Sequence, residues 1–277
     1  MCLALVALNA HPRLPLLIAA NRDEFHARAA APAHWWEDGT LGGVDLAAGG
    51  TWFGINAHGR WALVTNFREG IPRDPLAPSR GGLVKRALAE AAPPLVCAAA
   101  IAANGVRYHG FNLLVGNVAL AGARPSRGAR SESRESFGDH QGRAAYTSNR
   151  ASGALALGPG IHALSNHLLD TPWPKLTRSK ARFAACLAKS GDGIEPLFEL
   201  LADRTQAEAT ALPATGIAPE WERLLSSAFI VDSNYGTRCS TVLTIAHDGG
   251  ARFVERGFDR HGCLTEETAF EFSVHAH

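Results

Sequence analysis

Short apolar runs separated by turn residues form the most regular pattern of the chain. Residues 3–8 and 14–20 are two such runs, with a Pro-containing turn between them. Runs of this length suit buried strands, and the short turn favours an antiparallel hairpin. Two more strands are predicted at 51–56 and 60–66, around another short turn. We assign no strand to residues 21–50, which are polar and are interrupted by Pro and Gly.

Amphipathic stretches and apolar runs alternate in blocks along the rest of the chain. Helices are predicted at 80–90, 95–104, 173–189, 195–203 and 219–227. Strands are predicted at 108–118, 161–164, 228–231, 238–247 and 251–258. Because strand hairpins outnumber strand–helix alternations, this order favours stacked antiparallel sheets covered by helices, and it disfavours a Rossmann-like sheet.

We expect this α+β arrangement to form a single domain over residues 1–277, since no internal repeat or linker divides the sequence. Segment 122–142 is rich in Arg, Ser, Gly and Glu and has no apolar periodicity. It is interpreted as a surface loop or a lid.

The composition excludes several classes of protein. Hydrophobic residues make up 46% and charged residues 19% of the chain, which is typical of a globular protein. The formal net charge is +1, so we expect no nucleic-acid partner. No apolar run approaches the ~18 residues that cross a bilayer. Residues 9–13 interrupt the apolar N-terminus, so neither a transmembrane segment nor a secretory signal is predicted.

The cysteines and histidines do not form a metal-binding pattern. The five cysteines are widely spaced and include no C-x-x-C pair, which favours reduced thiols and a cytoplasmic location. The twelve histidines form no H-x-x-x-H motif, so no metal and no cofactor is predicted. Their spacing does not exclude one histidine that acts as the axial ligand of a loosely held haem.

Cys2 is the most informative candidate for chemistry. Initiator methionine is normally removed before a small residue, and removal of Met1 would leave a cysteine with both a thiol and a free α-amino group. The amine has an ordinary pKa of about 7.7–8.0 and can accept the thiol proton, so one residue would supply a nucleophile and a base. The alternative is a buried cysteine at the start of a strand, without a catalytic role.

Four polar residues, from Asn21 to Glu24, follow the second apolar run. Antiparallel pairing of the two runs brings their outer ends together, which places Asp23 near Cys2. Asp23 would then hold the α-amino group, and Arg22 would hold the thiolate or a substrate carboxylate. The alternative is a polar turn with a structural ion pair.

Asparagines follow three predicted strand segments, at Asn66, Asn149 and Asn166. In an acyl-transfer site an Asn side chain can donate a hydrogen bond to the developing oxyanion, whereas elsewhere such residues make turns. Arg238 enters an apolar strand and is expected to pair with an acidic residue of the 21–24 block.

These residues belong to a set of motifs that resembles the NRDE family, also called the transport-and-Golgi-organisation protein 2 family. The motifs are Met1-Cys2-Leu3, Asn21-Arg22-Asp23-Glu24, Thr51-Trp52-Phe53-Gly54, Thr65-Asn66-Phe67-Arg68, Ser165-Asn166, Asp170-Thr171-Pro172-Trp173-Pro174-Lys175 and Tyr235-Gly236-Thr237-Arg238. They occur in order over nearly the whole chain, apart from segment 122–142.

The resemblance implies a four-layer αββα sandwich of two stacked antiparallel sheets, as in N-terminal-nucleophile hydrolases. The nearer enzymatic relatives are choloylglycine hydrolase, penicillin V acylase and isopenicillin-N acyltransferase, which open with a catalytic cysteine. Carried over, the resemblance implies Cys2 as the nucleophile and Asp23 as the residue that holds its amine. It implies that Asn66 is an oxyanion donor and that Asn166 is a second asparagine of the site. Arg238 would correspond to the arginine that those enzymes carry later in the chain.

One position departs from those hydrolases. Ala20 stands where they carry their first arginine, and Arg22, two residues later, shares its strand face. We place Arg22 in the substrate-binding set, together with Glu24, Trp52 and Phe67.

Two functions are open at this point. One is a hydrolase or acyltransferase that acts on an amide or thioester through Cys2. The alternative is a non-enzymatic protein that binds or carries haem or an acyl lipid on the same fold. Its apolar cleft would be lined by Trp35, Trp36, Trp52, Phe53 and Trp61, which are otherwise ordinary core residues.

Overall fold

The computed structural model describes residues 2–71, 74, 76–118, 143–189 and 193–275, so segment 122–142, predicted as a loop or lid, lies outside the described residues. Two antiparallel sheets are formed. The first has the spatial order β10 (Gly160–Leu164), β1 (Cys2–Leu8), β2 (Leu16–Phe25), β11 (Tyr235–Ile245), β12 (Gly250–Phe258) and β13 (Leu264–Ser273). The second consists of β3 (Ala30–Trp35), β4 (Thr40–Asp45), β5 (Phe53–Asn56), β6 (Arg60–Asn66), β7 (Phe111–Asn117), β8 (Ala144–Ser148) and β9 (Ala154–Leu157).

Helices cover the outer faces of both sheets. The α-helices of the described residues are α1 (Gly81–Ala89), α2 (Pro94–Ala102), α3 (Pro174–Ala188), α4 (Glu195–Leu201) and α5 (Pro219–Leu224). Helices α1 and α2 pack on the second sheet, and α3 and α4 pack on the first. None of the described helices has the length and apolar character that a membrane crossing requires.

The central strands are buried on both faces. Leu3 and Leu5 of β1 pack against α3 and α4, whereas Ala4 and Val6 pack against the second sheet. Successive side chains of a strand point to opposite faces, so an unbroken apolar run marks a strand covered on both sides. A third apolar cluster joins the second sheet to α1 and α2. The layers are therefore helix, sheet, sheet and helix, and the predicted α+β, four-layer αββα sandwich is confirmed.

The polar block of the sequence lies inside a strand. β1 and β2 form the predicted hairpin, with Cys2 opposite Arg22. We expected the second strand to end at Ala20, but β2 continues through the polar block to Phe25. It continues because β11 pairs with the other edge of β2 along this whole stretch, so the strand is still hydrogen-bonded on one edge beyond Arg22, where pairing with β1 ends.

Asn21 illustrates how a polar side chain is accommodated in this buried strand. Its Nδ2 donates hydrogen bonds to the carbonyl oxygens of Leu201 and Ala228, at 2.9 and 2.8 Å. Ser240 donates its hydroxyl to Asn21 Oδ1 over 2.6 Å. With these partners the amide is stabilised inside the protein rather than at a turn.

Four strands were not predicted, namely β3, β4, β9 and β13, and one predicted strand is absent from the described residues. β3 and β4 lie within the stretch that we left unassigned, and β13 forms an exposed sheet edge. In β4, Gly43 allows the Trp52 ring to approach closely, since a Cβ there would lie 2.1 Å from a ring carbon. Residues 228–231 form only an isolated bridge, between Val231 and Gly236.

Candidate active site

Cys2 and Asp23 lie at the same end of the first sheet, because Cys2 begins β1 opposite Arg22. On the other side of β2, β11 places Thr237 opposite Asp23. Thr237 donates its hydroxyl to Asp23 Oδ1 over 2.7 Å, and the Tyr235 hydroxyl donates to the backbone carbonyl of Asp23 over 2.9 Å. The position of the Asp23 carboxylate is therefore fixed by β11.

The Cys2 thiol lies at the boundary between the interior and the solvent. The residue is partly exposed, and the backbone N–H of Asp23 donates a hydrogen bond to its sulfur. Burial raises the pKa of the Cys2 thiol, and this hydrogen bond opposes the rise. Burial also raises the pKa of the Asp23 carboxyl, against the positive charge of Lys175. A thiol in this environment needs a nearby base to form the thiolate at neutral pH.

A polar cavity of about 330 Å³ opens beside Cys2. Its charged lining residues are Arg22, Asp23, Glu24, Arg28, Asp45, Asp74 and Arg80. Both signs of charge therefore surround the thiol. Among the residues that the structure describes, no group of three or more His, Cys, Asp or Glu side chains is placed to hold a metal ion.

An apolar cavity of about 310 Å³ adjoins the polar one. The two share the lining residues Glu24, Asn66, Arg80 and His109. The apolar walls are formed by Phe25, Phe67, Ile71, Ile217, Trp221 and Leu225. The hollow therefore has one arm that suits polar groups beside the thiol and one arm that suits apolar groups.

The four residues predicted to bind substrate all line this hollow. The Arg22 guanidinium lies over the Trp52 ring, 4.4 Å from its centroid, and both residues line the polar cavity. Glu24 lines both cavities. Phe67 lines the apolar cavity, and its other face packs on His167 with ring centroids 4.8 Å apart. A role in ligand binding stays a prediction for all four.

The two asparagines predicted for the oxyanion lie at different depths. Asn66 lines both cavities, whereas Asn166 is fully buried and lines neither. Asn166 Nδ2 donates to the backbone carbonyl of Asn66 over 3.0 Å, and the Asn166 carbonyl accepts the Arg68 N–H over 2.7 Å. Ser165 donates its hydroxyl to the Cys2 carbonyl over 2.9 Å. This segment therefore joins the start of β1 to the end of β6.

Two other sequence candidates, Asn149 and Arg238, line neither cavity and contact backbone carbonyls instead. Asn149 donates Nδ2 to carbonyls of residues 105–109, at 2.9–3.2 Å. Arg238 donates to carbonyls of residues 25–28, at 3.2–3.4 Å. No described carboxylate forms a salt bridge with Arg238, so the expected acidic partner is replaced by carbonyl oxygens. A bulge in β11 at this position interrupts the register with β2 and accounts for the difference.

The apolar cleft expected from five aromatic residues is not formed. Only Trp52 among them lines either cavity of the site. Phe53 and Trp61 are each 1% exposed and belong to the core between the sheets. Trp35 packs instead on Phe272 of β13, with ring centroids 5.2 Å apart.

Lys175 is a residue of this region that the sequence analysis did not select. It lies in the first turn of α3, is 1% exposed, and its Nζ has no hydrogen-bond partner among the described residues. Burial lowers its pKa to about 8, against the opposing charge of Asp23. The sequence does contain a signal that could have identified it. Lys175 precedes Phe183 by eight residues, a spacing that places both on the same buried face of α3.

Comparison with known proteins identifies the family. A family model described as Transport and Golgi organisation 2 matches residues 1–260. The chain belongs to this family. The human Transport and Golgi organization protein 2 homolog is 31% identical over 275 residues, which cover 94% of this chain and 92% of that protein. The Bos taurus homolog is 32% identical over 258 residues, covering 87% and 86%.

The prediction of the Transport and Golgi organisation 2 family from the sequence motifs is thus confirmed. Among solved structures, the chain is similar to a Caenorhabditis elegans ortholog of N-acylethanolamine-hydrolyzing acid amidase. The TM-score is 0.45 at 12% identity, and the match covers 87% of this chain and 92% of that chain.

Proposed function

We propose that the protein is an acyl-transfer enzyme, a hydrolase or acyltransferase that cleaves an amide or a thioester through Cys2. The observation that carries the proposal is the position of Cys2, which begins a strand beside the buried Asp23 and lines a polar cavity. Removal of the residue before Cys2 would free an α-amine at this same point. One residue would then hold the nucleophile and its base.

The proposed reaction has two steps. The Cys2 amine, held by Asp23, accepts the thiol proton directly or through a water molecule. The thiolate attacks the substrate carbonyl carbon and a new C–S bond forms, while the C–N bond of an amide or the C–S bond of a thioester breaks. The Cys2 ammonium gives its proton to the leaving group. Water or an acceptor amine then attacks the acyl-enzyme and releases the Cys2 thiol.

The developing oxyanion requires donors close to the attacked carbonyl. Asn66 is the proposed side-chain donor, because it lines both cavities and shares the polar one with Cys2. We assign Asn166 a supporting role, since its amide is engaged with the Asn66 carbonyl. Arg238 likewise supports residues 25–28, and Phe25 of this segment forms a wall of the apolar cavity.

The two arms of the hollow indicate the shape of the substrate. An apolar acyl group suits the arm lined by Phe67 and Trp221. The polar arm carries Arg22 and Arg80, which suit an anionic group of the substrate. All five cysteines of the chain are unpaired, which fits the reducing cytoplasmic location that we propose.

The test is intact-mass analysis of the purified protein before and after reaction with an electrophilic acyl probe. We expect Cys2 to be the N-terminal residue and to carry a single acyl group. Cys2→Ala should not be labelled, whereas Cys263→Ala, which removes an exposed cysteine, should be labelled like the wild type. Retention of Met1, or equal labelling of Cys2→Ser, would contradict the proposal.

The second candidate is binding of haem or an acyl lipid without catalysis, and the apolar cavity is the observation that favours it. His109 lines both cavities and is the candidate haem ligand. Haem titration should then give a Soret band that His109→Ala loses. Absence of binding at micromolar haem would rule out the haem version, and a fluorescent fatty-acid titration would test the lipid version.

A further inference from the structure

Two separate stretches of the chain contribute to the lining of the apolar cavity. The first is residues 66–71, at and after the end of β6, from which Phe67 and Ile71 line the cavity. The second is residues 217–225, which include α5 and which we call the outer wall. Trp221 and Leu225 belong to it and also line the cavity. The shape of the cavity therefore depends on how the outer wall is held against residues 66–71.

The helix of the outer wall docks on the protein through a charged residue. Of the described residues Pro219–Leu224 that form α5, Glu222 is buried and the others are not. Helices of globular proteins ordinarily dock through an apolar stripe. Leu225, directly after α5, belongs to a small apolar cluster with Ile230 and Tyr235, separate from the larger clusters of the two sheets. The position of α5 therefore depends on the partners of Glu222.

Arg68 is the charged partner of Glu222. The two side chains are 3% and 5% exposed and form a buried ion pair. Arg68 Nη2 also donates to the Leu225 carbonyl over 3.4 Å, and the guanidinium lies over the Trp173 ring, 4.6 Å from its centroid. Glu222 Oε1 accepts the backbone N–H and the hydroxyl of Thr215, at 2.9 and 2.5 Å. The ion pair thus joins residues before, within and after α5 to the 66–71 stretch.

The backbones of the two stretches also meet just before the outer wall. The Gly70 N–H donates to the Thr215 carbonyl over 3.1 Å. A Cβ on Gly70 would lie 2.1 Å from the Gly216 carbonyl oxygen, so a larger residue would force the two stretches apart. Gly216 has a φ of +87°, a conformation that suits glycine. This contact fixes the start of the outer wall, and the contacts of Arg68 fix its later part.

We propose that Arg68 and Glu222 are specificity-determining residues for the acyl group: their ion pair holds the outer wall where it contacts a long acyl chain. The inference rests on the proposed function, because it assumes that the apolar cavity receives the acyl group. Desolvation offsets much of the attraction in a buried ion pair, whereas the planar guanidinium restricts where the carboxylate can lie. The pair therefore acts on the position of the wall, and neither residue exchanges a proton or a bond with the substrate.

The test compares a long-chain acyl probe with an acetyl probe. Acylation of Cys2 is followed by intact mass at several probe concentrations, which gives a maximal rate and a half-saturating concentration. The main variant is the double substitution of Arg68→Met with Glu222→Met, which leaves neither charge buried without its partner. Thr215→Val removes only the hydroxyl that holds Glu222. The control is Arg256→Met, which removes ion pairs with two surface glutamates and lines neither cavity.

We expect the double variant to raise the half-saturating concentration of the long-chain probe about tenfold, because contacts with the wall are lost. Its maximal rate should stay the same, since these contacts bind the substrate and the transition state alike. The acetyl probe is too short to reach the wall and should react as with the wild type. Thr215→Val should give a smaller change in the same direction, and Arg256→Met should keep the wild-type ratio of the two rates.

An ion pair that only stabilised the fold would lower the melting temperature and leave the ratio of the two rates unchanged. That ratio in the folded double variant would overturn the inference. If the double variant does not fold, as checked by circular dichroism, Thr215→Val decides. Failure of both variants to fold would also overturn the inference, because the pair would then be a requirement of the fold.

Binding of a fluorescent long-chain fatty acid to Cys2→Ala separates this inference from the proposed function. The double substitution, added to Cys2→Ala, should weaken this binding. If the acyl probe does not label Cys2 in the wild type but fatty-acid binding is weakened in this way, acyl transfer is contradicted and the role of the ion pair stands. If the probe labels Cys2 and the ratio of the two rates stays fixed, only the role of the ion pair is lost.

Discussion

Asn166 lies directly behind Asn66, with its Nδ2 donating a 3.0 Å hydrogen bond to the backbone carbonyl of Asn66. Asn66 reaches the cavities and Asn166 does not. Two asparagines that look equivalent in the sequence therefore have different tasks. One side chain is available to a ligand, and the other fixes the strand end from which the first extends.

This difference predicts opposite effects of two alanine substitutions. Asn66→Ala should slow acylation by the probe about 10²–10³-fold, because an oxyanion donor is lost, and should leave the melting temperature nearly unchanged. Asn166→Ala should lower the free energy of unfolding by about 1–3 kcal/mol, because it leaves buried polar groups unpaired. Acylation kinetics and urea unfolding measure the two effects.

Asn149→Ala is the matched control for this pair. It also removes a hydrogen-bonding amide, but Asn149 itself lines neither cavity and its amide donates to the backbone of the turn at 105–109. It should lower stability and leave the acylation rate of the folded protein unchanged. Wild-type acylation by Asn66→Ala would exclude Asn66 as the oxyanion donor.

Lys175 predicts a specific dependence of stability on pH. Burial lowers its pKa from 10.5 to about 8 in the folded protein. Below pH 8 both the folded and the unfolded chain hold the proton, and the folded state carries the full cost of the buried ammonium. Between pH 8 and 10.5 only the unfolded chain keeps the proton, so stability rises with pH. At about 1.4 kcal/mol per pH unit, the rise amounts to about 3 kcal/mol.

Urea unfolding at several pH values across this window would measure the effect. The free energy of unfolding of the wild type should rise relative to that of Lys175→Met as the pH increases. Buried groups such as Cys239 titrate in both proteins and cancel in the difference. A difference that stays constant with pH would show that Lys175 keeps an ordinary pKa, and Lys180→Met should give such a constant difference.

The parts of the site that could be predicted from sequence are those formed by strands that are consecutive along the chain. The β1–β2 hairpin joins two consecutive apolar runs, so the proximity of Cys2 and Asp23 follows from antiparallel pairing alone. The extension of β2 through the polar block could not be predicted in this way. It depends on pairing with β11, more than 200 residues later, as in the 2.7 Å contact of Thr237 with Asp23.

Tertiary packing also explains why Lys175 was missed and Arg238 was assigned the wrong partner. A lysine is usually exposed, and only the docking of α3 on the first sheet buries this one. A partly buried arginine suggests a carboxylate partner, but the bulge in β11 directs Arg238 to carbonyl oxygens. Both outcomes depend on geometry that residue types alone do not specify.

Substitution of Arg238 distinguishes a structural role of this side chain from a direct role in catalysis. Arg238→Ala removes donors to the carbonyls of residues 25–28 and should lower the free energy of unfolding by about 1–3 kcal/mol. The rate of Cys2 acylation by the probe should not change. Arg252→Ala, which removes an exposed arginine 3.8 Å from Glu271, is the control and should have little effect on stability. Loss of acylation at unchanged stability would instead place Arg238 on the substrate.

Phe67 tests whether the apolar arm receives an acyl chain. Phe67 lines the apolar cavity together with Trp221 and with the proposed oxyanion donor Asn66. Burying such a side chain against a ligand contributes about 1.5–3 kcal/mol, so Phe67→Ala should lower kcat/KM for a long-chain acyl probe about tenfold or more. An acetyl probe is too short to reach this wall and should react as before. The predicted result is therefore a change in the ratio of the two rates.

The control for this experiment is Phe272→Ala, which removes an aromatic ring packed on Trp35 at the edge of the first sheet. It should lower both rates equally or not at all, because the ring lines neither cavity. If Phe67→Ala also slows both probes equally, then Phe67 holds the site together through its contact with His167 rather than binding the acyl chain. A selective loss for the long-chain probe would assign the acyl group to the apolar arm and leave the polar arm for the other half of the substrate.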